Sequence, residues 1–166
     1  MKAVLISIRP EWCAKIASGE KTTEVRKTRP KLETPFKCYI YCTLPRYPHE
    51  DFIETDYPKP QFYGGGKVIG EFACDRVTNL FSNSRFWLDE DDILHTCLSA
   101  AEMRKYANGA NGLYGWHISN LKIYDKPREL REFTGLRQTK FGAEPVPITR
   151  APQSWCYVEE TDNDKT

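Results

Sequence analysis

The sequence predicts an α+β fold, a small curved β-sheet with two or three flanking helices, and three observations support this prediction. Residues 3–9 are rich in Val, Leu and Ile, as a buried strand is. Residues 36–43 alternate between two sets of side chains with the period of a strand. Helix start and stop signals bracket residues 10–18 and 99–108. Strands interrupted by helices, with glycines at bulge positions, favour a sheet that curves towards a barrel.

The first helix begins at Pro10, whose missing N–H is not needed at a first helical position. Trp12 and Ile16 are four residues apart and place an apolar stripe on one helix face. Gly19 suits the left-handed position that ends a helix. We expect a short strand to follow, through about Lys27.

The next elements are a strand, a long loop and a second strand. Residues 36–43 direct Phe36, Cys38, Ile40 and Cys42 to the core and Lys37, Tyr39, Tyr41 and Thr43 to the other face. Residues 44–66 are rich in Pro, Tyr and Gly, and we expect a loop there that covers the site. Residues 67–77 resume as a strand, with a bend or bulge at Gly70.

The second half contains further helices and strands. The acidic run from Asp89 leads into a short helix, and a further helix begins at Ser99, which forms a capping box with Glu102 and ends near Asn108. We expect strands over residues 113–124 and 155–158, with a helical turn or two over 127–133. These elements make a single domain over residues 1–158, followed by a disordered acidic tail over 159–166.

Composition restricts the class of protein. The length of 166 residues fits one domain, and 40% apolar residues suffice for one core. No stretch approaches the ~20 apolar residues of a membrane span, and the N-terminus does not resemble a signal peptide. We therefore expect a soluble cytoplasmic protein without membrane contact; the sequence carries no signal for an oligomeric state.

The six cysteines and three histidines do not indicate a metal site or a disulfide framework. No C-x-x-C pair exists, and Cys38 and Cys42 would lie ~13 Å apart on one strand, too far for a disulfide. Four cysteines stand among apolar neighbours, where a free thiol behaves as a small hydrophobe: Cys13, Cys38, Cys42 and Cys74. We expect structural thiols, no metal and no cofactor.

Charge is unevenly distributed along the chain. The net charge is only +1, but residues 1–37 carry nine basic and four acidic side chains. This excess suits a phosphate-bearing ligand at one site better than long nucleic-acid tracts. A solvated basic surface is the alternative.

One segment combines these features, Gly19–Arg26, which reads G-x-K-T-x-E-x-R. Side chains two apart on a strand share a face, so Glu24 and Arg26 point the same way and Lys21 lies within reach. An ammonium, a carboxylate and a guanidinium together can hold a polar planar ligand. The alternative is an ordinary surface ion pair, worth about 0–1 kcal/mol.

The segment, together with the preceding run from Ser7 to Trp12, resembles the signature of the ASCH family in the PUA-like superfamily. Gly112–Ile118 and Pro152–Trp155 also resemble segments of bacterial and phage-type members, so the likeness spans residues 3–158. The resemblance implies a PUA-like β-barrel with flanking helices and a cleft beside the signature strand. It also implies binding of RNA, a nucleotide or a modified nucleoside.

Carried onto this chain, the binding candidates are Lys21, Glu24 and Arg26, with Arg9 as a second cation beside the same helix and Ser154 as a hydroxyl near the chain's end. A base edge can be read by a carboxylate and a guanidinium, and a phosphate pairs with Lys or Arg. The alternatives are that Arg9 is an ordinary surface arginine and that Ser154 is simply part of a loop. Tyr39, Tyr41 and Trp116 could stack on a base or pack in the core, and we expect Trp12 to pack.

Two other functions remain open. One branch of the superfamily comprises small amidohydrolases that deacylate modified cytidine, whose site resembles a lysine followed three residues later by a threonine. Here that residue is Glu24, so a hydrolase would use Lys21 and Glu24 as its working pair, on a modified nucleoside or, as a nuclease, on RNA. A domain that binds a protein, with the signature as a structural ion pair, is the third hypothesis.

Overall fold

The computed structural model describes residues 1–44, 52–53, 62–63, 65–82, 85–86 and 90–161. The strands are β1 (Lys2–Ile8), β2 (Thr23–Arg26), β3 (Phe36–Cys42), β4 (Phe52–Ile53), β5 (Phe62–Tyr63), β6 (Lys67–Ser82), β7 (Arg85–Phe86), β8 (Gly112–Arg128), β9 (Thr134–Thr139), β10 (Gly142–Pro147) and β11 (Trp155–Glu159). The helices are α1 (Pro10–Ala17), α2 (Glu90–Thr96) and α3 (Ala100–Ala107), with a 3-10 turn at Leu130–Glu132. No helix within these ranges is long and apolar enough to cross a membrane.

The main sheet is mixed and open. Its strands run in the order β10-β9-β11-β1-β3-β6-β8-β2, with β7 paired to β6, while β4 and β5 form a separate pair. Only β1 and β3 pair in parallel among the described strands; the other neighbours are antiparallel. The α+β class is confirmed, but a closed barrel is not, because no backbone ladder joins the end strands β2 and β10 in the described part of the chain.

The sheet curves at breaks in its register. The β6–β8 pairing shifts at four places, and the β3–β6 pairing shifts between Ile40 and Tyr41. Gly70 lies at one of these breaks, as predicted, and a Cβ atom there would come 2.5 Å from the carbonyl oxygen of Lys122. Bulges increase the local twist and bend a strand, so these residues bring β8 and β2 round towards the end of β1.

The core lies on both faces of the central strands. On β1, Val4 and Ile6 join the larger apolar cluster, which also holds the predicted inward set of β3, while Leu5 joins a second cluster on the opposite face. The second cluster also contains Tyr39 and Tyr41, so these two residues lie on the opposite face of β3 as predicted, and that face is buried as well. Alternation of side chains shows that two faces exist, but both faces are covered here.

The helix signals predicted from the sequence are confirmed. Pro10 opens α1, and Gly19 follows it with φ +82°. At the start of α3, the Ser99 hydroxyl accepts from the Glu102 N–H at 3.2 Å and the Glu102 carboxylate accepts from the Ser99 N–H at 2.7 Å. Asn108 ends α3 in the left-handed conformation, at φ 36°. These motifs depend on residues within one turn, which is why the sequence reveals them.

The four cysteines predicted to be structural are buried: Cys13, Cys38, Cys42 and Cys74. Burial raises the pKa of the Cys13 and Cys38 thiols well above the usual range and that of Cys74 to about 12. These three thiols therefore stay protonated near neutral pH and pack as small apolar groups.

The C-terminal part differs from expectation in two places. The hairpin of β9 and β10 was not predicted, because its alternating residues are mostly polar or proline. The expected disorder does not begin at Glu159, which pairs with Lys2, and the Thr161 N–H donates to the Tyr39 hydroxyl at 2.9 Å. Residues 162–166, and most of the loop predicted over 44–66, lie outside the described residues.

Candidate functional site

A cavity of about 710 Å³ lies between the start of α1, strand β2 and the end of α3. All five candidates that the sequence offers line it: Arg9, Lys21, Glu24, Arg26 and Ser154. Arg9 and Gln153 at its edge are exposed to solvent, so the cavity opens to the surface. The structure therefore brings the predicted site residues together in one accessible concavity.

The local fold explains this convergence. Strand β1 ends at Ile8, Arg9 is the residue before the first turn of α1, and the helix returns the chain to Gly19. Lys21 follows this turn, and its backbone N–H donates to the Lys15 carbonyl at 3.0 Å. Strand β2 then pairs with β8 and directs Glu24 and Arg26 to the same face.

The floor of the cavity is a buried ionic cluster. Lys21, Glu24 and Arg26 are 2%, 6% and 7% exposed. The Arg26 Nε donates to Glu24 Oε1 at 3.1 Å, and Arg26 Nη2 lies 2.9 Å from the same oxygen. Lys21 Nζ lies 3.5 Å from Glu24 Oε2. The alternative of an exposed surface ion pair is excluded, because solvated pairs are not buried to this extent.

Arg26 also links β2 to the end of β1 and to Ser154, which directly precedes β11. No backbone ladder joins β2 to β1 or β11 within the described ranges. Its Nη2 donates to the Ser7 carbonyl at 2.6 Å, and its Nη1 contacts the Ser154 hydroxyl at 3.2 Å and carbonyl at 3.4 Å. A guanidinium has five N–H groups, and four of them donate to Glu24, Ser7 and Ser154. The chain therefore already engages most of the donors of Arg26.

Lys21 retains donor capacity. Its Nζ donates to the Thr96 carbonyl at 2.5 Å, which ties the last residue of α2 to the cavity floor. An ammonium has three N–H groups; one donates to the Thr96 carbonyl, and the contact with Glu24 is an ion pair at 3.5 Å, so Lys21 keeps at least one N–H for a ligand. The same Nζ lies 5.1 Å from the centre of the Trp12 ring.

The rim of the cavity carries a second pair of cations, Arg9 and Lys27, both exposed. Lys27 Nζ lies 5.1 Å from the centre of the Tyr106 ring. Burial raises the pKa of Tyr106, while the positive charges of Arg26 and Arg9 lower it and Glu24 raises it. The Tyr106 ring therefore lies at the rim beside the Lys27 ammonium.

The aromatic residues at the site are not the ones proposed for stacking. Tyr39, Tyr41 and Trp116 are buried in the core, so the packing alternative is correct for them. Trp12 packs partly against the core, as predicted, but also lines the cavity together with Tyr106. Tyr106 lies three residues after the buried Met103 on α3. This spacing places Tyr106 at the edge of the apolar stripe of the helix, but the sequence does not indicate which part of the protein that edge faces.

The two threonines nearest in sequence to the amidohydrolase pattern, Thr22 and Thr23, do not line the cavity. Both oxygens of Glu24 lie against cations. No group of three metal-ligating side chains occurs among the residues that the structure describes.

The fold resembles that of ASCH structures from Zymomonas mobilis. The Z. mobilis ASCH structure is 20% identical, covers 95% of this chain and 88% of its own, and gives a TM-score of 0.54. Its Tyr-to-Phe variant is 18% identical, covers 96% of this chain and 92% of its own, and gives a TM-score of 0.53. No family profile and no curated protein matches the sequence. The chain therefore has an ASCH-like fold.

Proposed function

We propose that this chain binds RNA or a nucleotide and holds a base or phosphate in the cavity beside the Lys21–Arg26 strand. The observation that carries the proposal is that a buried Lys21–Glu24–Arg26 cluster forms the floor of a surface-open cavity. Buried charges are costly unless they are paired, and convergent polar groups within a concave pocket mark a candidate binding site. Its access to solvent favours ligand binding over the purely structural ion pair of the protein-binding hypothesis.

The size and charge of the cavity suit one nucleotide. Its volume of about 710 Å³ falls within the ~300–1,000 Å³ typical of small-ligand sites. Six acidic and basic side chains line it, with a formal net charge of +2: Arg9, Glu11, Lys21, Glu24, Arg26 and Lys27. A positive cavity attracts phosphate, and the rings of Trp12 and Tyr106 provide surfaces on which a base can stack.

The test is binding of a fluorescently labelled single-stranded RNA, followed by anisotropy over a range of salt concentrations. Arg9→Ala/Lys27→Ala removes two rim cations that make no hydrogen bond or ion pair within the described part of the chain, so the fold should be unaffected. We expect binding at least about tenfold weaker, since hydrogen bonds to charged groups contribute ~1.5–3 kcal/mol each. The salt slope should fall by about 0.7 for each phosphate that the variant no longer neutralises.

The control is Arg131→Ala/Lys140→Ala, which removes the same charge from two positions that do not line the cavity. We expect this variant to bind like the wild type. An equal decrease in affinity for the two double variants would show that only net charge matters, and would contradict the site. An unaffected rim variant would contradict it as well.

The hydrolase alternative, with Lys21 and Glu24 as the working pair on a modified nucleoside or on RNA, stays a prediction. No observation on the described residues favours it over binding. Incubation of the protein with acylated cytidines and with single-stranded RNA tests it directly. Product that forms with the wild type and not with Lys21→Ala would establish catalysis.

A further inference from the structure

The cavity has two polar regions with different remaining capacity for hydrogen bonds. On the floor, four of the five N–H groups of Arg26 donate to the chain, whereas only one of the three of Lys21 does. Glu24 Oε1 accepts from Arg26, but among the described residues Glu24 Oε2 faces only Lys21, at 3.5 Å. The floor therefore offers a ligand a donor on Lys21 and an acceptor on Glu24 side by side.

A phosphate does not fit this floor. Its oxygens are acceptors, so it could use the Lys21 N–H but would place negative charge against the Glu24 carboxylate. Like charges in a buried site repel strongly, because screening by water is weak there. The edge of a nucleobase carries an acceptor beside an N–H donor and is uncharged, so it can satisfy both groups at once.

The rim has the opposite character. Arg9 and Lys27 make no hydrogen bond or ion pair to a chain acceptor among the described residues; both line the cavity, and Lys27 Nζ lies 5.1 Å from the centre of the Tyr106 ring. Arg9 also directly precedes α1, whose N-terminal dipole favours an anion. Glu11 is the acidic side chain at this end of the cavity, which leaves the rim with a net charge of +1.

The geometry points to a nucleotide bound with its base inward: the base edge meets Lys21 and Glu24 on the floor, and the phosphate meets Arg9 and Lys27 at the rim. This inference rests on the proposed function and adds to it the class of ligand, a phosphorylated nucleoside. A free mononucleotide and an unpaired nucleotide within RNA share this chemistry. Trp12 and Tyr106 contact the ligand between its two polar ends.

Calorimetric titration separates these contributions. The probes are the four ribonucleoside 5′-monophosphates, the matching nucleosides, ribose 5-phosphate and inorganic phosphate. On the wild type, we expect the best monophosphate to bind at least about tenfold more tightly than its nucleoside, because it adds charge-assisted hydrogen bonds. Ribose 5-phosphate and inorganic phosphate should bind more weakly than the monophosphate, since neither reaches the floor.

The rim variant Arg9→Ala/Lys27→Ala supplies the decisive comparison. We expect it to bind nucleosides like the wild type while the advantage of the monophosphate disappears; the Arg131→Ala/Lys140→Ala control should keep that advantage. Inorganic phosphate that competes as well as the monophosphate, or an equal decrease in affinity for nucleoside and monophosphate, would overturn the base-inward orientation. RNA and nucleotides that all fail to bind the wild type would instead overturn the proposed function.

The same titration with a dinucleotide and a short single-stranded RNA distinguishes the two sources of ligand. Tighter binding of the RNA than of every monophosphate indicates an unpaired nucleotide within a strand. Equal or weaker binding indicates a free mononucleotide. Both results retain the base-inward orientation, provided that the rim variant loses only the contribution of the phosphate.

Discussion

Replacement of Arg26 by alanine should destabilise the protein severely, although the residue lies in the candidate site. The change removes the partner that holds Glu24 Oε1 at 2.9 Å and the bridge from β2 to Ser7 and Ser154. Removal of one member of a buried ion pair costs about 3–5 kcal/mol, because the other charge stays buried without it. For a chain of this size, 1 kcal/mol shifts the unfolding temperature by about 2–4 °C, so we expect a decrease of about 6–20 °C.

Differential scanning calorimetry measures this shift. The matched comparison is Arg9→Ala, an exposed arginine that lines the same cavity, for which we expect a change within about 0.5 kcal/mol. Arg26→Lys retains the charge but not the planar fork, so it should fall between alanine and the wild type. An unfolding temperature for Arg26→Ala within about 2 °C of the wild type would refute the argument that this guanidinium holds β2 to the end of β1.

Two further predictions concern the sheet. Gly70→Ala should lower the urea midpoint by the equivalent of ~1–3 kcal/mol, because its Cβ would come 2.5 Å from the Lys122 carbonyl oxygen, a backbone atom that cannot swing away; an unchanged midpoint would show that the strands separate easily here. The second prediction follows from Asp75, whose pKa the hydrogen bond with His117 holds below the usual range. A carboxyl group whose pKa is lower in the folded than in the unfolded state stabilises the folded protein. This contribution is complete above the unfolded-state pKa, about 3.9, and is lost as the pH falls through the folded-state pKa. The stability advantage of the wild type over Asp75→Asn in urea titrations should thus shrink below about pH 4, and an advantage that grew in acid would contradict the assignment.

Local signals in the sequence predicted most elements of the fold. Pro10, Gly19 and the Ser99–Glu102 pair act within a turn of chain, and each has the predicted effect in the structure. The openness of the sheet and the burial of both faces of β3 were not predictable in this way. Both depend on which distant strands meet, and a two-residue period does not contain that information.

The same distinction between local and long-range information applies to the residues of the candidate site. Lys21, Glu24 and Arg26 follow from strand alternation and their spacing, whereas Arg9 and Ser154 were added once the resemblance had been named, and all five line one cavity. Lys27 and Tyr106 were missed because each is an ordinary residue in its own segment. They become notable only when α3 packs across from β2 and sets the Lys27 ammonium over the Tyr106 ring.

The cavity lies beside a gap between β2 and the end of β1 that a side chain spans. No backbone ladder joins these two strands in the described part of the chain, and Arg26 reaches across from β2 to the Ser7 carbonyl and to Ser154. The guanidinium thus holds the curved sheet together while leaving room beside it, and Glu24 serves both as its counter-ion and, through Oε2, as the remaining acceptor on the floor. On this argument the signature residues divide their roles, with Arg26 maintaining the cleft and Lys21 and Glu24 available to a ligand within it.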